Sequence, residues 1–107
     1  MLTLKKTLLL VPLMVLAGTA QALPPAGTPQ PTGEMMGNTC AGCHGTQGRM
    51  HGEAFVPLAG MPEAKFIRAM QDFRSGARPA TLMGHVAKGY TDEEIKAMAE
   101  FFAKVKP

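Results

Sequence analysis

Two segments in the second half of the chain carry apolar residues at helical spacing. In the last segment these residues fall at positions i, i+3, i+4 and i+7: Ile95, Met98, Ala99 and Phe102. Thr91 stands just before this stripe with Glu94 three residues further on, which is the capping-box arrangement of a helix N-terminus. The pattern predicts an amphipathic helix that begins after Thr91 and ends near the basic residues Lys104 and Lys106.

The earlier stripe follows Pro62, a residue that the first turn of a helix tolerates. Its apolar members cover about three turns: Phe66, Ile67, Met70 and Phe73. Ser75 and Gly76 then provide a stop signal. The sequence therefore predicts a second amphipathic helix between Pro62 and Ser75.

Glycine-rich segments separate and precede these two helices. Residues 33–40 predict a short helix only weakly because they contain two glycines, and residues 42 to about 60 predict a loop. Residues 79–83 are expected to be extended or to form a single turn. Since no segment alternates apolar and polar residues, we predict an all-α domain of three or four short helices. Such helices bury little surface, which points to a large apolar group from outside the sequence.

The first 22 residues have the three parts of a secretory signal. Lys5 and Lys6 give a basic start, residues 7–17 are mostly apolar, and residues 20–22 (AQA) have the small-x-small form that signal peptidase accepts. A retained membrane anchor is the alternative, but the apolar run is shorter than the roughly 20 residues that cross a bilayer. We therefore expect cleavage after Ala22, export to the periplasm and a mature chain without a transmembrane segment.

Removal of this signal changes the charge of the chain. Over 107 residues, 11 Lys and Arg face eight Asp and Glu, which gives a formal charge of +3. Without Lys5 and Lys6, nine basic residues face eight acidic ones, and the charge falls to +1. No basic stripe remains, so nucleic acid is not expected as a partner. The length fits one domain, which we place at 33–107 after a proline-rich extended leader at 23–32.

The segment Cys40-Ala41-Gly42-Cys43-His44 is a C-x-x-C-H sequence, the attachment signature of c-type haem. Two thiols at this spacing reach the two vinyl groups on one edge of a porphyrin, and the next residue then lies under the iron. Thioether bonds at Cys40 and Cys43 would leave His44 as the proximal iron ligand. We therefore predict one covalently bound haem c per chain, which would also supply the missing apolar group.

Three other chemistries use a cysteine pair of this kind. A disulfide between Cys40 and Cys43 is allowed in an exported protein. A thioredoxin-type redox pair has the same spacing, but that fold needs βαβ units that the predicted helices do not provide. A zinc site needs a second pair of ligands, and His51 and His85 are not paired in the sequence. We expect both histidines to face solvent, and haem attachment accounts best for the motif together with the export signal.

The second axial ligand decides whether the iron carries electrons or binds small molecules, because a methionine thioether closes the position. The mature chain has seven methionines: Met35, Met36, Met50, Met61, Met70, Met83 and Met98. Two lie on the helical stripes and three lie close to the attachment motif, which leaves Met61 and Met83. Met61 precedes Pro62, where an apolar residue often packs as a staple. Met83 stands between Pro79 and Gly84 in a helix-poor segment, and we favour it.

Other residues are candidates for supporting roles around a haem. A proximal histidine generally donates its second ring N–H to a fixed acceptor, which we place at a backbone carbonyl of residues 56–58, around Pro57. Tyr90 could hydrogen-bond a haem propionate or pack beside the final helix. Three basic side chains could pair with the propionates or remain solvated on the surface: Arg74, Arg78 and Lys88.

Four stretches of the chain resemble the class I c-type cytochromes: CAGCHGTQG, VPLAG, FRSGARPATLMG and HVAKGYTDEEIKAMAEFFA. More narrowly, they are similar to the N-terminal haem domain of the cytochrome subunit of flavocytochrome c sulfide dehydrogenase, from about Met36 to Ala103. The resemblance implies the small all-α class I fold wrapped around one haem. It assigns the distal iron ligand to Met83, and it implies that the chain carries electrons without catalysing bond chemistry itself.

The resemblance also implies partners. The similar subunit docks on a flavoprotein that oxidises sulfide, so we expect a flavin-containing sulfide dehydrogenase subunit as donor and a soluble cytochrome or an oxidase as acceptor. Better-known members carry two haem domains in tandem, whereas this chain stops at Pro107. That difference favours an alternative, a free-standing diffusible carrier between respiratory or sulfur-oxidising complexes. A haem sensor or ligand-binding protein with an open iron is a third hypothesis.

Overall fold

The computed structural model describes residues 27–52 and 55–107, and within these ranges the chain forms helices and turns but no β-strand. The described residues form five α-helices: α1 (Gly33–Asn38), α2 (Ala41–His44), α3 (Glu63–Ser75), α4 (Met83–Ala87) and α5 (Asp92–Lys104). A 3₁₀ turn at Thr46–Gly48 follows α2. The predicted all-α class is confirmed, while the predicted signal and the start of the leader lie outside the described residues.

Helix α5 has the predicted boundaries and supplies the centre of the core. The backbone N–H of Glu94 donates to Thr91 Oγ1 at 3.2 Å, and the N–H of Thr91 donates to Glu94 Oε2 at 2.8 Å, so both halves of the capping box are formed. The apolar stripe faces inward and is completely buried: Ile95, Met98, Ala99 and Phe102. The residues that recur at helical spacing in the sequence therefore form one buried face of the helix.

Helix α3 lies against both α4 and α5. Phe66 and Met70 are buried on its inner face, and the ring of Phe66 packs 5.5 Å from that of Phe102. The helix ends as predicted at Ser75, because Gly76 takes a left-handed conformation with φ of 82°.

Helix α1 is formed despite its two glycines. The hydroxyl oxygen of Thr32 accepts the N–H of Met35 and caps its N-terminus. The helix crosses α5 at a close distance, since a Cβ at Gly33 would overlap the backbone carbonyl of Ala97. The glycines that weaken the helix in isolation are what allow the two helices to touch.

Two short helices lie where the sequence predicted a loop and an extended or single-turn segment. Residues 41–44 form α2 because the Cys40 carbonyl accepts the N–H groups of Cys43 and His44 at 3.2 and 2.9 Å. Residues 83–87 form α4, so Met83 begins a helix rather than lying in a helix-poor segment. Single turns of this kind leave no hydrophobic periodicity to read, which is why the predicted number of helices was too low. None of the helices within 27–52 and 55–107 is long and apolar enough to cross a bilayer.

Candidate haem-attachment site

A cavity of about 620 Å³ opens between the attachment motif, α3 and the segment that leads into α4. Ligand pockets in proteins typically enclose about 300–1,000 Å³. Its walls are mostly apolar and include side chains of the core, such as Phe66 and Phe73. All four residues predicted to hold the haem line this one cavity: Cys40, Cys43, His44 and Met83.

The two cysteines lie one helical turn apart, with Cys40 at the N-cap of α2 and Cys43 inside it. Both thiols are partly buried, and neither is in a disulfide. Burial is the main cause that raises the pKa of the Cys40 thiol; a hydrogen bond with Thr39 opposes this, and the nearby Cys43 adds to it. A thiol with a raised pKa stays protonated and is a poor nucleophile.

The ring of His44 is fixed by a backbone acceptor. Its Nδ1 lies 2.7 Å from the carbonyl oxygen of Val56, within the segment 56–58 where the sequence placed this partner. A carbonyl can only accept, so Nδ1 carries the hydrogen and donates it. In the neutral ring this tautomer keeps a free lone pair on Nε2, which is the state in which an imidazole binds a metal. The ring of Phe55 stands edge-on to His44 at 6.0 Å, a contact that the sequence did not indicate.

Three of the methionines in the described part of the chain line the cavity. Met61 and Met70 line it from the buried core, at 9% and 5% exposure, whereas Met83 is only partly buried and packs against that core. The sequence had assigned Met70 to the core alone. His85 lies outside this cavity, on the wall of a second one, and His51 lines neither.

The predicted supporting residues do not all line the same cavity. Arg78 lines the cavity and stands over the ring of Phe73 at 5.3 Å. Lys88 instead lines the second cavity, of about 270 Å³, and the Tyr90 hydroxyl lies 3.0 Å from Thr39 Oγ1. Pro57 stands between two residues that line the haem cavity.

The basic side chains that line the cavity differ from those predicted, because one predicted residue lies away from it and two others were missed. Arg74 is held away from it, because Nη1 donates to the Tyr90 carbonyl and the guanidinium pairs with Asp92. Lys65 and Arg68 line the cavity, although sequence reasoning missed them. Their i, i+3 spacing on α3 was the available signal that they share one face.

The described residues fit a covalently attached haem c. They offer a mostly apolar cavity of suitable volume, two thiols one helical turn apart, an imidazole with a defined tautomer, and basic side chains on the wall. Haem in such proteins is held by thioether bonds to C-x-x-C-H and by a proximal histidine. The helical fold and this site together define a class I c-type cytochrome.

The comparison with known families agrees with this class. Residues 32–106 match the sequence model of the family described as Cytochrome c, and the chain belongs to that family.

Three relatives show how the similarity is distributed. The cytochrome subunit of sulfide dehydrogenase from Chlorobaculum tepidum is 40% identical over 92 residues, which cover 83% of this chain and 82% of the relative. A thiosulfate dehydrogenase electron acceptor from Stutzerimonas stutzeri is 41% identical over 69 residues, but the match spans only 32% of that protein and 62% of this chain. Cytochrome c-553 from Helicobacter pylori is 32% identical over 72 residues, which cover 66% of this chain and 75% of the relative.

Proposed function

We propose that the chain is the monohaem electron-transfer subunit of a flavoprotein sulfide dehydrogenase, and that it acts in the periplasm after cleavage behind Ala22. The observation that carries the proposal is the 40% identity to the cytochrome subunit of sulfide dehydrogenase, which extends over 83% of this chain and 82% of that subunit. The subunit would accept electrons from the flavoprotein and pass them to a soluble cytochrome or an oxidase. It would catalyse no bond chemistry itself.

Different residues around the cavity would attach the haem and bind its iron. Cys40 and Cys43 would form the two thioether bonds, and the free lone pair of His44 Nε2 would bind the iron while the Val56 carbonyl keeps the ring in place. Met83 would be the second protein ligand to the iron and would exclude other ligands. When bound, haem c supplies one-electron oxidation and reduction at the iron.

Basic side chains are proposed to serve the propionates. Arg78 is supported by its place on the cavity wall and by its contact with Phe73, which limits its movement. Lys65 and Arg68 are further candidates on the same wall, although Arg68 is already paired with Asp72. Lys88 and Tyr90 receive no such support, because one lines the second cavity and the other bonds to Thr39.

The test uses the haem-loaded mature protein in its oxidised form, under anaerobic conditions. Sulfide is added alone, or together with a flavoprotein isolated from the native periplasm, and haem reduction is followed by stopped-flow absorption. The proposal expects reduction that depends on the flavoprotein and saturates with its concentration, and the two proteins should co-elute in gel filtration. No acceleration over sulfide alone, combined with separate elution, would reject it.

A diffusible carrier is the second candidate, and the similarity to thiosulfate dehydrogenase electron acceptors favours it. The same experiment separates the two roles when thiosulfate and a thiosulfate dehydrogenase replace sulfide and the flavoprotein. A carrier should accept electrons from that enzyme without forming a stable complex. The third hypothesis, a ligand-binding protein, requires that the reduced wild-type protein bind carbon monoxide readily.

A further inference from the structure

The Thr39–Tyr90 hydrogen bond has a defined direction. Thr39 Oγ1 lies 2.6 Å from the carbonyl oxygen of Met36 and 3.0 Å from the hydroxyl oxygen of Tyr90. A threonine hydroxyl carries one hydrogen, and the Met36 carbonyl can only accept it. Thr39 therefore donates to Met36, and Tyr90 donates to Thr39.

This bond joins two segments that are far apart in the sequence. Thr39 is the C-cap of α1, directly precedes Cys40 and lines the haem cavity. Tyr90 follows the end of α4 and directly precedes the N-cap of α5. The bond thus connects the attachment motif to the segment that contains Met83.

Helix α4 is short and is held mainly by its packing against α3. It has five residues, no side-chain cap at its N-terminus and only one buried residue, Ala87. Leu82, just before it, is 55% exposed. A helix of this length is not stable by itself, so its position depends on packing against α3 and on the chain that follows it.

The backbone of Tyr90 is fixed independently of its hydroxyl. Its carbonyl accepts Nη1 of Arg74 at 3.2 Å, which ties this point of the chain to α3. The ring also packs against the hydrophobic core. Removal of the hydroxyl alone would leave both contacts in place, so the substitution Tyr90→Phe isolates the bond to Thr39.

We propose that Tyr90 is a positioning residue, whose hydrogen bond to Thr39 holds α4, and with it Met83, against the attachment motif. The inference rests on the proposed ligation of the iron by Met83. Loss of this one exposed hydrogen bond should increase the fraction of molecules with α4 open by about two- to tenfold.

The first test compares two variants of the haem-loaded protein by hydrogen exchange. Tyr90→Phe should speed exchange at the amides of His85 and Val86, which both donate to the Leu82 carbonyl within α4. Thr91→Ala is the matched control, because it removes the cap of α5 at the next residue and leaves the Tyr90 hydroxyl intact. Exchange in α4 should remain at the wild-type rate in this control.

Variants of Thr39 test the same bond from its other end. Thr39→Ser keeps a hydroxyl and should behave like the wild type, whereas Thr39→Val should increase exchange in α4 as Tyr90→Phe does. Thr39→Val also removes the bond from Thr39 to the Met36 carbonyl, so the double variant Thr39→Val/Tyr90→Phe is compared with Thr39→Val and not with the wild type. It should show no further increase over Thr39→Val, because the contact with Tyr90 is already absent there.

The second readout is the rate at which imidazole binds to the oxidised haem protein, which requires the sixth position to open. This rate should rise about two- to tenfold in Tyr90→Phe and stay unchanged in Thr91→Ala. Wild-type exchange in Tyr90→Phe, or equal acceleration in Thr91→Ala, would overturn the proposal. Faster exchange in α4 without faster imidazole binding would support the connection to α4 and reject Met83 as the ligand.

Discussion

The substitution Gly33→Ala tests whether α1 and α5 lie close together because residue 33 has no side chain. A Cβ at this position would stand 2.5 Å from the carbonyl carbon of Ala97 and still closer to its oxygen, although real Cβ contacts essentially never fall under 3.0 Å. The obstacle is backbone, which cannot rotate aside as a flexible side chain does. The two helices must therefore separate, and contacts along their interface must loosen.

Two opposing effects determine how much Gly33→Ala changes the free energy of unfolding. Overpacking of this kind costs about 1–3 kcal/mol. Alanine recovers at most about 1 kcal/mol over glycine inside a helix. The steric term is the larger, so we expect the free energy of unfolding to fall by about 1–2 kcal/mol. At a urea dependence of about 1–3 kcal/mol per molar, the midpoint should drop by about 0.3–2 M.

Urea unfolding of the haem-loaded protein, followed by far-UV circular dichroism, measures this shift. Gly42→Ala is the matched control, since Gly42 also lies in a helix but an added Cβ would meet nothing within 4 Å. This control should unfold at or slightly above the wild-type midpoint. If Gly33→Ala and Gly42→Ala share one midpoint, the close approach of α1 to α5 is not as described.

Three further predictions concern the site, the backbone and the core. Met83→Ala should abolish the far-red Met-to-iron absorption band and allow carbon monoxide to bind the reduced protein, while Met61→Ala should keep the band; the reverse pattern would assign the ligand to Met61. Gln47 has φ of 54°, a backbone conformation that costs a non-glycine residue about 1 kcal/mol. Gln47→Gly should therefore raise Tm by a few degrees in calorimetry, and a lower Tm would contradict this. Phe102 is completely buried, so Phe102→Ala should cost about 3–5 kcal/mol in urea unfolding, and a loss below about 1 kcal/mol would mean that the core packs differently.

The parts of the fold that sequence reasoning predicted are those set by neighbouring residues. The capping box at Thr91 and the stop at Gly76 act within one turn of chain, so their local sequence is sufficient to identify them. The acceptor for His44 was also placed correctly in the segment 56–58, because proximal histidines generally need such a partner.

The parts that were missed depend on contacts between distant segments. The glycines of α1 lower its intrinsic helix propensity, and only the presence of α5 beside them shows why they are tolerated. Tyr90 was considered as a propionate partner or as a residue that packs beside the final helix. Its bond to Thr39 depends on how α4 packs against α3, which the local pattern does not determine.

The two hydrogen bonds that fix the site close chain loops of very different length. The bond from His44 to Val56 spans 12 residues, and the bond from Tyr90 to Thr39 spans 51. Loop-closure entropy grows with the logarithm of loop length, so the longer loop costs about 1.3 kcal/mol more to close when the chain folds. The packing of α1 on α5 keeps that loop closed in the folded domain, so partial opening should begin at α4, which has one buried residue, and leave the segment around His44 in place. A cytochrome built in this way would admit small molecules to its iron before it loses its fold.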